Sequence, residues 1–397
     1  MSKPSAGHDA ERWLFVDGAA DLGGHEIMLM RLVEEIGAHG AVTPIVLARA
    51  GSGLRERAAA FRAPQDLPAA SRIDRFGADS LAFIVHAMRD AWTFARVAFR
   101  VKATLCIIAE GCLLAQPIFA MVARLLGQRV VVYVPLLEPS RTLGFGRGRT
   151  RDALVQYFYA NLPHAWITIT QEQATEFAAW ARVRRPIFSL PNTVAKSIDR
   201  IARSDAGQES DGHTSVRPAL RILVLGRLES HQKGLDQLMD FLSARNALVH
   251  ALTISFVGSG PFESELRRRI GESPALGKWV CVRPWANPVE AMREHDVLLI
   301  TSRYEGVPLV MLEAMALGMP VVSTDLPGTR AFLPAQCLFP VGDMERAFDI
   351  IATLRDPQVR GDFIRRNRAT YAARASADVF TARVSALTTE LRGLAYR

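Results

Sequence analysis

Two carboxylates interrupt an otherwise apolar run, SRYEGVPLVMLEAMALGMP at 302–320, at Glu305 and Glu313. A buried carboxylate is costly unless it is paired or hydrogen-bonded. Continuous helix would separate the two by about 12 Å and rotate them by about 80°, so they are not a same-face acid/base pair. We interpret them as acceptors for donors along an extended ligand, such as sugar hydroxyls. That Glu313 instead pairs with a core arginine stays open.

The same run predicts a strand, a turn and a helix in succession. DVLLITS (296–302) is typical of a buried parallel strand, RYEGV of a turn that contains Glu305, and PLVMLEAMAL of a helix. Pro308 would lie near the first helical position and Gly318 would end the helix. The N–H groups around Leu309 and Val310 would then have no acceptor within the helix and would suit a phosphate.

Two cations follow the strand LRILVLG, in the segment RLESHQKGLDQLMDFL. Arg227 and Lys233 are predicted to lie in a loop before a helix that begins near Gly234. Beside a helix N-terminus they would form a site for a diphosphate, with a solvated basic loop as the alternative. The next strand ends in VGSGP, where Gly258 and Gly260 favour a tight turn.

Strand-like runs alternate with helical patterns almost throughout, which predicts an α/β chain with two Rossmann-like, doubly wound domains facing each other across a cleft. The polar segment SIDRIARSDAGQESDGHTSVRP interrupts the rhythm and is interpreted as a linker or mobile loop. The predicted parts are an N-terminal domain at 1–196, this linker at 197–218, a C-terminal domain at 219–356 and final helices at 357–397.

Composition limits the classes of function. The 397 residues carry a formal net charge of +8, which suits anionic partners, but nucleic-acid binding is disfavoured because no zinc-finger or RNP-like spacing occurs. The N-terminus lacks a signal-peptide pattern and the apolar runs are too short to span a bilayer, so a cytoplasmic protein is expected. No P-loop, GxGxxG, DxD or metal spacing is present. Four cysteines are interpreted as buried free thiols: Cys106, Cys112, Cys281 and Cys337.

From about 220 to 330 the chain resembles the retaining, nucleotide-sugar-dependent glycosyltransferases of family 4, which have the GT-B fold. GRLESHQKG, VGSGP and SRYEGVPLVMLEAMALGMPVVSTDLPG follow that family's order and spacing, and GGHE at 23–26 and LPN at 190–192 extend the likeness more weakly. The resemblance implies transfer of a glycosyl group, of hexosyl type, from a nucleotide-diphosphate sugar to an acceptor hydroxyl. Configuration would be retained and no metal or other cofactor required. Polysaccharide biosynthesis is the expected setting.

The resemblance also implies roles for individual residues. Arg227 and Lys233 would neutralise the donor diphosphate, Glu305 would hold hydroxyls of the transferred sugar, and Glu313 would accept the ribose hydroxyls. The final helices would cross back to the first domain, as they commonly do in this family. The other implied donor contacts are mainly backbone groups, at Gly23, Gly24, Arg283, Pro284, Trp285, Gly306, Val307, Leu309 and Val310.

The first half departs from the family pattern. Many relatives have a histidine after the strand that matches RVVVYVP, whereas VPLLEPSRTLG has none. Glu110 and Glu138 are candidates to replace it on the acceptor side, with plain surface acids as the alternative. The loop SRTLGFGRGRTRD is expected to hold an anionic acceptor, such as a lipid-linked pyrophosphate, or to contact a membrane surface, unless it is simply solvated. Its arginines are Arg141, Arg147, Arg149 and Arg151.

Two other functions fit the same motifs. A non-catalytic nucleotide-sugar binding protein would bind the donor without transfer, and a GT-B nucleotide-sugar epimerase would convert it without an acceptor. The acceptor itself, whether glycan, lipid-linked saccharide or small molecule, is left open by these residues.

Overall fold

The computed structural model describes residues 11–19, 23–59, 65–68, 81–144, 146–205, 219–245 and 252–395. The chain divides into two compact units, Met1–Pro191 with Thr381–Arg397, and Asn192–Phe380. Each unit is built on one parallel sheet. This confirms the predicted α/β class with two Rossmann-like domains. No described helix is both long and apolar enough to cross a membrane.

The first unit has a seven-stranded sheet in the order β3-β2-β1-β4-β5-β6-β7. The order reverses between β1 and β4, and open α/β sheets bind ligands beyond the carboxyl ends of strands at such a point. The strands are β1 Glu11–Asp17, β2 Val42–Arg49, β3 Gln65–Leu67, β4 Leu105–Ala109, β5 Val130–Tyr133, β6 Ala165–Thr168 and β7 Ile187–Ser189. The helices are α1 Gly24–Ala38, α2 Gly53–Ala58, α3 Leu81–Val101, α4 Pro117–Leu125, α5 Gly148–Tyr157 and α6 Gln171–Ala181.

One core cluster ties four of these helices to the same face of the sheet. Alternate residues of β1, β4 and β5 point into it, since side chains of a strand alternate between faces. Trp166 on β6 is fully buried there, with Tyr159 and Phe177 edge-on at 5.5 and 5.1 Å between ring centroids. The helices α3, α4, α5 and α6 therefore form a single outer layer on this face. Their core residues include Phe94, Val97, Phe119, Ala123, Val155 and Phe177.

The second unit has a six-stranded sheet in the order β10-β9-β8-β11-β12-β13. Its switch point lies between β8 and β11. Its strands are β8 Leu220–Leu225, β9 Leu252–Val257, β10 Val280–Arg283, β11 Val297–Ile300, β12 Val321–Thr324 and β13 Leu338–Phe339. Its helices are α7 Lys196–Asp205, α8 Ser230–Lys233, α9 Leu235–Ser243, α10 Glu263–Glu272, α11 Pro288–Arg293, α12 Leu309–Ala316, α13 Pro327–Arg330, α14 Met344–Thr353 and α15 Pro357–Arg374. A last helix, α16 Ala377–Ala395, follows.

The predicted linker at 197–218 begins with a helix instead. Residues up to Asp205 belong to α7, and residues 206–218 lie outside the described part of the chain. Two residues of this polar segment make contacts that its composition does not indicate. Ile198 is buried, and Asp199 accepts a 2.7 Å hydrogen bond from the hydroxyl of Tyr371 on α15. These contacts hold α7 within the second unit.

The cysteine prediction is partly wrong. All four are free, and Cys106 and Cys337 are buried, but Cys112 is half-buried and Cys281 is exposed. Cys281 is exposed because β10 is an edge strand, covered by β9 on one side only.

Glycines let two loops of the second unit approach within van der Waals contact. Gly258 follows β9 with φ +153°, and a Cβ there would lie 1.9 Å from the carbonyl oxygen of Gly226, which follows β8. Gly260, with φ +159°, would meet the carbonyl oxygen of Leu228 at 2.3 Å. The turn predicted from VGSGP is therefore a close contact between backbones.

We predict that Gly258→Ala lowers the free energy of unfolding by more than about 1 kcal/mol, because an alanine strains the backbone and displaces the β8 loop. Gly271→Ala on α10 is the matched control, since its Cβ would have no atom within 4 Å. It should be neutral or stabilising by up to about 1 kcal/mol. Urea unfolding midpoints of the two variants measure the difference, and equal midpoints would contradict the prediction.

Candidate functional site

The two cations and the loop acid meet at the switch point of the second unit. Arg227, Lys233 and Glu305 line one pocket beyond the carboxyl ends of β8 and β11. The ammonium of Lys233 contacts the carboxylate of Glu305 directly, and the hydroxyl of Ser302 donates to the same carboxylate oxygen at 2.9 Å. The Glu305 side chain is only 10% exposed, so the ion pair is largely shielded from water.

Lys233 lies at the end of a short helix and not in a loop as predicted. The carboxylate of Glu229 caps α8 by accepting from the N–H groups of His231 and Gln232 at 2.9 and 2.6 Å. Gly234 then reverses the chain with φ +64°, which favours glycine. This turn starts α9 and leaves Lys233 beside the pocket.

Contacts to the backbone of α8 fix its position relative to the segment that follows β11. A Cβ on Gly234 would lie 2.2 Å from the carbonyl oxygen of Thr301, so the two backbones touch. The hydroxyl of Thr301 donates to the carbonyl of Lys233 at 2.7 Å, and the N–H of Arg303 donates to the carbonyl of Gln232 at 2.7 Å. The backbone that carries Lys233 is therefore joined to the loop that carries Glu305.

Arg303 completes this connection and was not identified from the sequence. Its guanidinium donates to the carbonyls of Ser230 and His231 at 2.9 Å and forms a two-point pair with Asp236 on α9 at 2.7 and 2.8 Å. Burial alone would raise the pKa of Asp236, but the hydrogen bonds from Arg303 outweigh it and the pKa is lowered. The sequence held a signal for Arg303 in SRYEG, where a cation precedes Glu305 by two residues in the same loop.

Helix α12 begins one residue later than predicted. Pro308 is its N-cap residue, so Leu309 and Val310 occupy its first two helical positions and their N–H groups have no acceptor inside the helix. Val310 lines the pocket with Pro308, whereas Leu309 does not. Gly318 follows the helix with φ +71°, as predicted for its end.

Glu313 lies inside α12, and Glu305 lies in the preceding loop. The helix is buried on nearly every side, with Met311, Leu312, Ala314, Met315 and Ala316 enclosed, and it packs against α15, α7 and α11. Glu313 is half-buried and is not among the residues that line the pocket. It therefore lies three residues, or nearly one helical turn, beyond Val310, which lines the pocket.

The loop before α12 is held by its backbone. The side-chain amide of Asn192 donates to the carbonyl of Val307 at 2.8 Å. A Cβ on Gly328 would lie 1.3 Å from the carbonyl oxygen of Gly306, so α13 presses directly on this loop. Asn192 and Gly328 therefore position the backbone of Gly306 and Val307. Asn192 belongs to the LPN segment, and Gly328 belongs to the DLPG segment.

The segment predicted to contact a base begins at Arg283, the last residue of the edge strand β10. The carbonyl of Arg283 accepts from the N–H of Gly258 at 3.1 Å, and its guanidinium pairs with Glu294 at 2.6 Å. Pro284 and Trp285 are exposed, Trp285 by 60%. The structure therefore leaves an exposed aromatic side chain two residues after Arg283, whose backbone is bonded to the glycine turn.

In the first unit, Gly23 and Gly24 start α1 near a cluster of charged groups. The N–H of Gly23 donates to the carboxylate of Glu26 at 2.7 Å. His25 lies 3.3 Å from Asp17 and 3.1 Å from Glu26. Burial raises the pKa of Glu26, and the charge of Asp17 raises it further, against the opposing effect of His25. Among the described residues, these three alone bring enough ligand atoms together to hold a metal ion. The expectation that no metal is needed stays a prediction.

Glu110 is not an exposed acid available to an acceptor. It follows β4 and is fully buried, and the hydroxyl of Tyr159 donates to its carboxylate. Burial raises its pKa to about 7, against hydrogen bonds from Tyr159 and from the N–H groups of Ala115, Gln116 and Leu114. The turn at 111–116 covers it. The sequence indicated an acid at the end of a strand, but it did not indicate that the following turn would bury it.

The other candidates of the first unit are more accessible. Glu138 is half-buried, and burial together with Glu176 raises its pKa. Arg141, Arg147 and Arg149 are exposed, and Arg141 lies 3.7 Å from Asp152. Arg151 instead donates to the carbonyls of Leu113 and Leu114 at 3.3 Å and so has a structural contact.

We predict that Arg303→Ala lowers the free energy of unfolding by about 1–2 kcal/mol, because it leaves partly exposed carbonyls and the partly exposed Asp236 without their charged donor. Amide hydrogen exchange over 230–236 should also accelerate. Arg365→Ala, which removes an exposed pair with Asp362 on α15, is the control and should change stability by less than about 0.5 kcal/mol. Unchanged exchange over 230–236 in Arg303→Ala would count against a positioning role.

We predict a pH-dependent stability that depends on Glu110. Its pKa is about 7 in the folded chain and 4.5 as a reference, so the folded state holds the proton more tightly. The stability that this proton contributes is fully present below pH 4.5 and is lost as the pH rises through about 7. Glu110→Gln should remove this loss, whereas Glu34→Gln on the exposed face of α1 should keep it. Urea midpoints across this range measure the effect, and parallel profiles for all three proteins would disprove it.

Comparison with known proteins finds a family match within the second unit. Residues 219–356 match the family described as Glycosyl transferases group 1. A phosphatidyl-myo-inositol mannosyltransferase from Mycolicibacterium smegmatis is 32% identical over 155 residues, which are 38% of this chain and 40% of that protein. Matches to the curated relatives span between 30% and 42% of their own lengths.

Solved structures match nearly the whole chain in fold. Sucrose-phosphate synthase from Thermosynechococcus elongatus has a TM-score of 0.72 at 14% identity and covers 96% of this chain and 99% of its own. Anabaena HepE in complex with UDP-glucose has a TM-score of 0.69 at 17% identity, covering 95% and 99%. At these identities the likeness concerns the fold. The chain therefore has the GT-B fold, and its residues 219–356 match the family of glycosyl transferases group 1.

Proposed function

We propose that the protein is a retaining glycosyltransferase that moves a sugar, of hexosyl type, from a nucleotide-diphosphate donor to an acceptor hydroxyl. The observation that carries this proposal is the single pocket lined by Arg227, Lys233, Glu305 and the start of α12. A diphosphate needs cations and N–H donors, and sugar hydroxyls need a carboxylate. The pocket offers all three at the switch point of a doubly wound sheet.

In the proposed reaction the bond between the anomeric carbon and the β-phosphate oxygen breaks, and a bond to the acceptor oxygen forms on the same face of the sugar. The acceptor proton passes to the departing phosphate, so no protein nucleophile is required. Negative charge grows on that phosphate as the bond breaks. Arg227, Lys233 and the first N–H groups of α12 would stabilise it, because Arg227, Lys233 and Val310 line the same pocket.

The contact between Lys233 and Glu305 supports distinct roles for the two groups. Glu305 balances the charge of Lys233 in a poorly solvated place, where an unpaired ammonium would be costly. When the donor binds, its diphosphate would take over that balance and free the carboxylate oxygens for sugar hydroxyls. Glu313, further along α12, would accept the ribose hydroxyls, with Arg283 to Trp285 beside the base.

The donor and acceptor classes are also part of the proposal. The Anabaena HepE structure contains UDP-glucose. Two relatives carry a lipid or a lipopolysaccharide in their names: the phosphatidyl-myo-inositol mannosyltransferase and the lipopolysaccharide core biosynthesis mannosyltransferase LpsB of Rhizobium meliloti. A lipid-linked or glycan acceptor in polysaccharide biosynthesis is therefore the proposed acceptor. We propose a donor that binds without a metal ion.

We predict that Lys233→Ala lowers kcat/KM for sugar transfer at least about 100-fold, since it removes a preorganised charge from the departing phosphate. Glu313→Gln should abolish transfer by weakening donor binding. Lys278→Ala and Glu272→Gln, exposed in the same unit, are matched controls that should keep activity. A panel of UDP-, GDP- and ADP-sugars in a thermal-shift assay selects the donor, because the cognate one stabilises the native state.

Three outcomes would overturn the proposal. Full turnover by both site variants would show that the pocket does not carry the reaction. Donor binding by calorimetry without transfer or slow donor hydrolysis would indicate a binding protein. Conversion of the donor to its epimer without an acceptor would indicate an epimerase.

A further inference from the structure

Exposed large apolar side chains are concentrated on one layer of the first unit. Twelve such side chains occur among the described residues, and ten of them lie on α3, α4 and α5 or at their ends. Phe99 and Leu125 are each 85% exposed. The ten are Val85, Met88, Trp92, Phe99, Met121, Leu125, Leu126, Leu154, Tyr157 and Phe158.

These residues share a surface because their helices share a layer. The inner faces of α3, α4 and α5 pack into the same core cluster on one face of the sheet. Phe94 on α3 and Phe119 on α4 contact each other at 5.6 Å between ring centroids. The outward faces of these helices therefore look in one direction, and we call them the α3–α5 surface.

On α3 the apolar residues form a stripe. Val85, Met88, Trp92 and Phe99 are spaced so that all four fall within about 60° around the helix. The arginines lie next to this stripe, at Arg89, Arg96 and Arg100, and all three are exposed. The guanidinium of Arg96 stacks on the ring of Trp92 at 5.4 Å. The long arginine side chains thus extend beside the aromatic surface.

The acids of these three helices are turned away from solvent. Asp90 is buried and pairs with Arg49 at 2.7 Å, and Asp152 is buried and accepts from the N–H of Ser140 at 2.6 Å. No other acid occurs in the described residues of α3, α4 and α5. The charged side chains on the exposed faces of α3, α4 and α5 are therefore all basic.

We propose that the α3–α5 surface docks on a membrane rich in anionic lipids, with the apolar side chains in the headgroup region and the arginines on lipid phosphates. An apolar stripe flanked by arginines is typical of helices that lie in a membrane interface. Each basic residue near such a surface contributes about 1 kcal/mol of attraction. The proposal goes beyond the proposed function and does not depend on it.

Charge favours this occupant over a second copy of the chain. In a two-fold dimer the same surface appears on both partners, so arginine would face arginine without an acid to balance it. An anionic bilayer supplies that balance. Its acyl chains also accept aliphatic residues such as Leu125 and Met88, which a polar partner would not cover.

The test uses the full chain and vesicles of phosphatidylcholine, either alone or with about one third phosphatidylglycerol. We expect co-sedimentation with the anionic vesicles and weak binding to the neutral ones, with a steep loss as salt is raised. Trp92→Ser with Phe99→Ser should weaken binding at least about tenfold. Arg96→Glu should weaken it more than fivefold, since it reverses a charge.

Trp285→Ser is the matched control for vesicle binding, because Trp285 is equally exposed but lies in the second unit. It should bind anionic vesicles as the unsubstituted protein does, and circular dichroism melting shows that each variant is folded. Equal binding by Trp92→Ser with Phe99→Ser and by Trp285→Ser would overturn the proposal. So would a dimer in sedimentation equilibrium that the α3 substitutions dissociate, because the surface would then be an interface between copies. A surface substitution that removes vesicle binding while transfer to a soluble acceptor continues would separate docking from catalysis.

Discussion

The candidate site of the second unit depends on how α8 is joined to the loop after β11. Arg303 and Thr301 contact five successive residues of α8 and its turn, from Ser230 to Gly234. A four-residue helix has little stability of its own, because helix nucleation is unfavourable. Its position is therefore set by these outside contacts. Lys233 faces Glu305 because the two segments are one hydrogen-bonded body and not because either segment is rigid alone.

The alternation of strand-like runs with helical patterns was enough to predict the α/β class and most strands. Strands that are buried on both faces give continuous apolar runs, which are easy to identify. The short strands β3 and β13, at Gln65–Leu67 and Leu338–Phe339, carry too few residues to give such a pattern. Helix α7 was missed because its stability comes from Ile198 and from the Tyr371 contact, across more than 170 residues of sequence. Long-range partners of this kind leave no local signal.

The residues of the candidate site were likewise predictable only in part. The location of Arg227, Lys233 and Glu305 was predictable because the segments that follow buried parallel strands lie at the carboxyl edge of the sheet. What the sequence could not show was their support. Arg303 and Asn192 act through backbone carbonyls, which any residue supplies, so no pattern identifies the partner. Glu110 illustrates the reverse case, because its place at a strand end suggested access while the turn after it and Tyr159 enclose it.

Much of the frame around the pocket consists of bare backbone against bare backbone. Gly258 meets Gly226, Gly260 meets Leu228, Gly234 meets Thr301 and Gly328 meets Gly306, each too close to admit a methyl group. The shape of the pocket thus depends on four glycines whose lack of a side chain lets the backbones approach each other. A substitution survey that removes polar groups would find the charges and overlook this frame, whereas adding a single carbon at any of the four glycines would deform the pocket with every charged group still present.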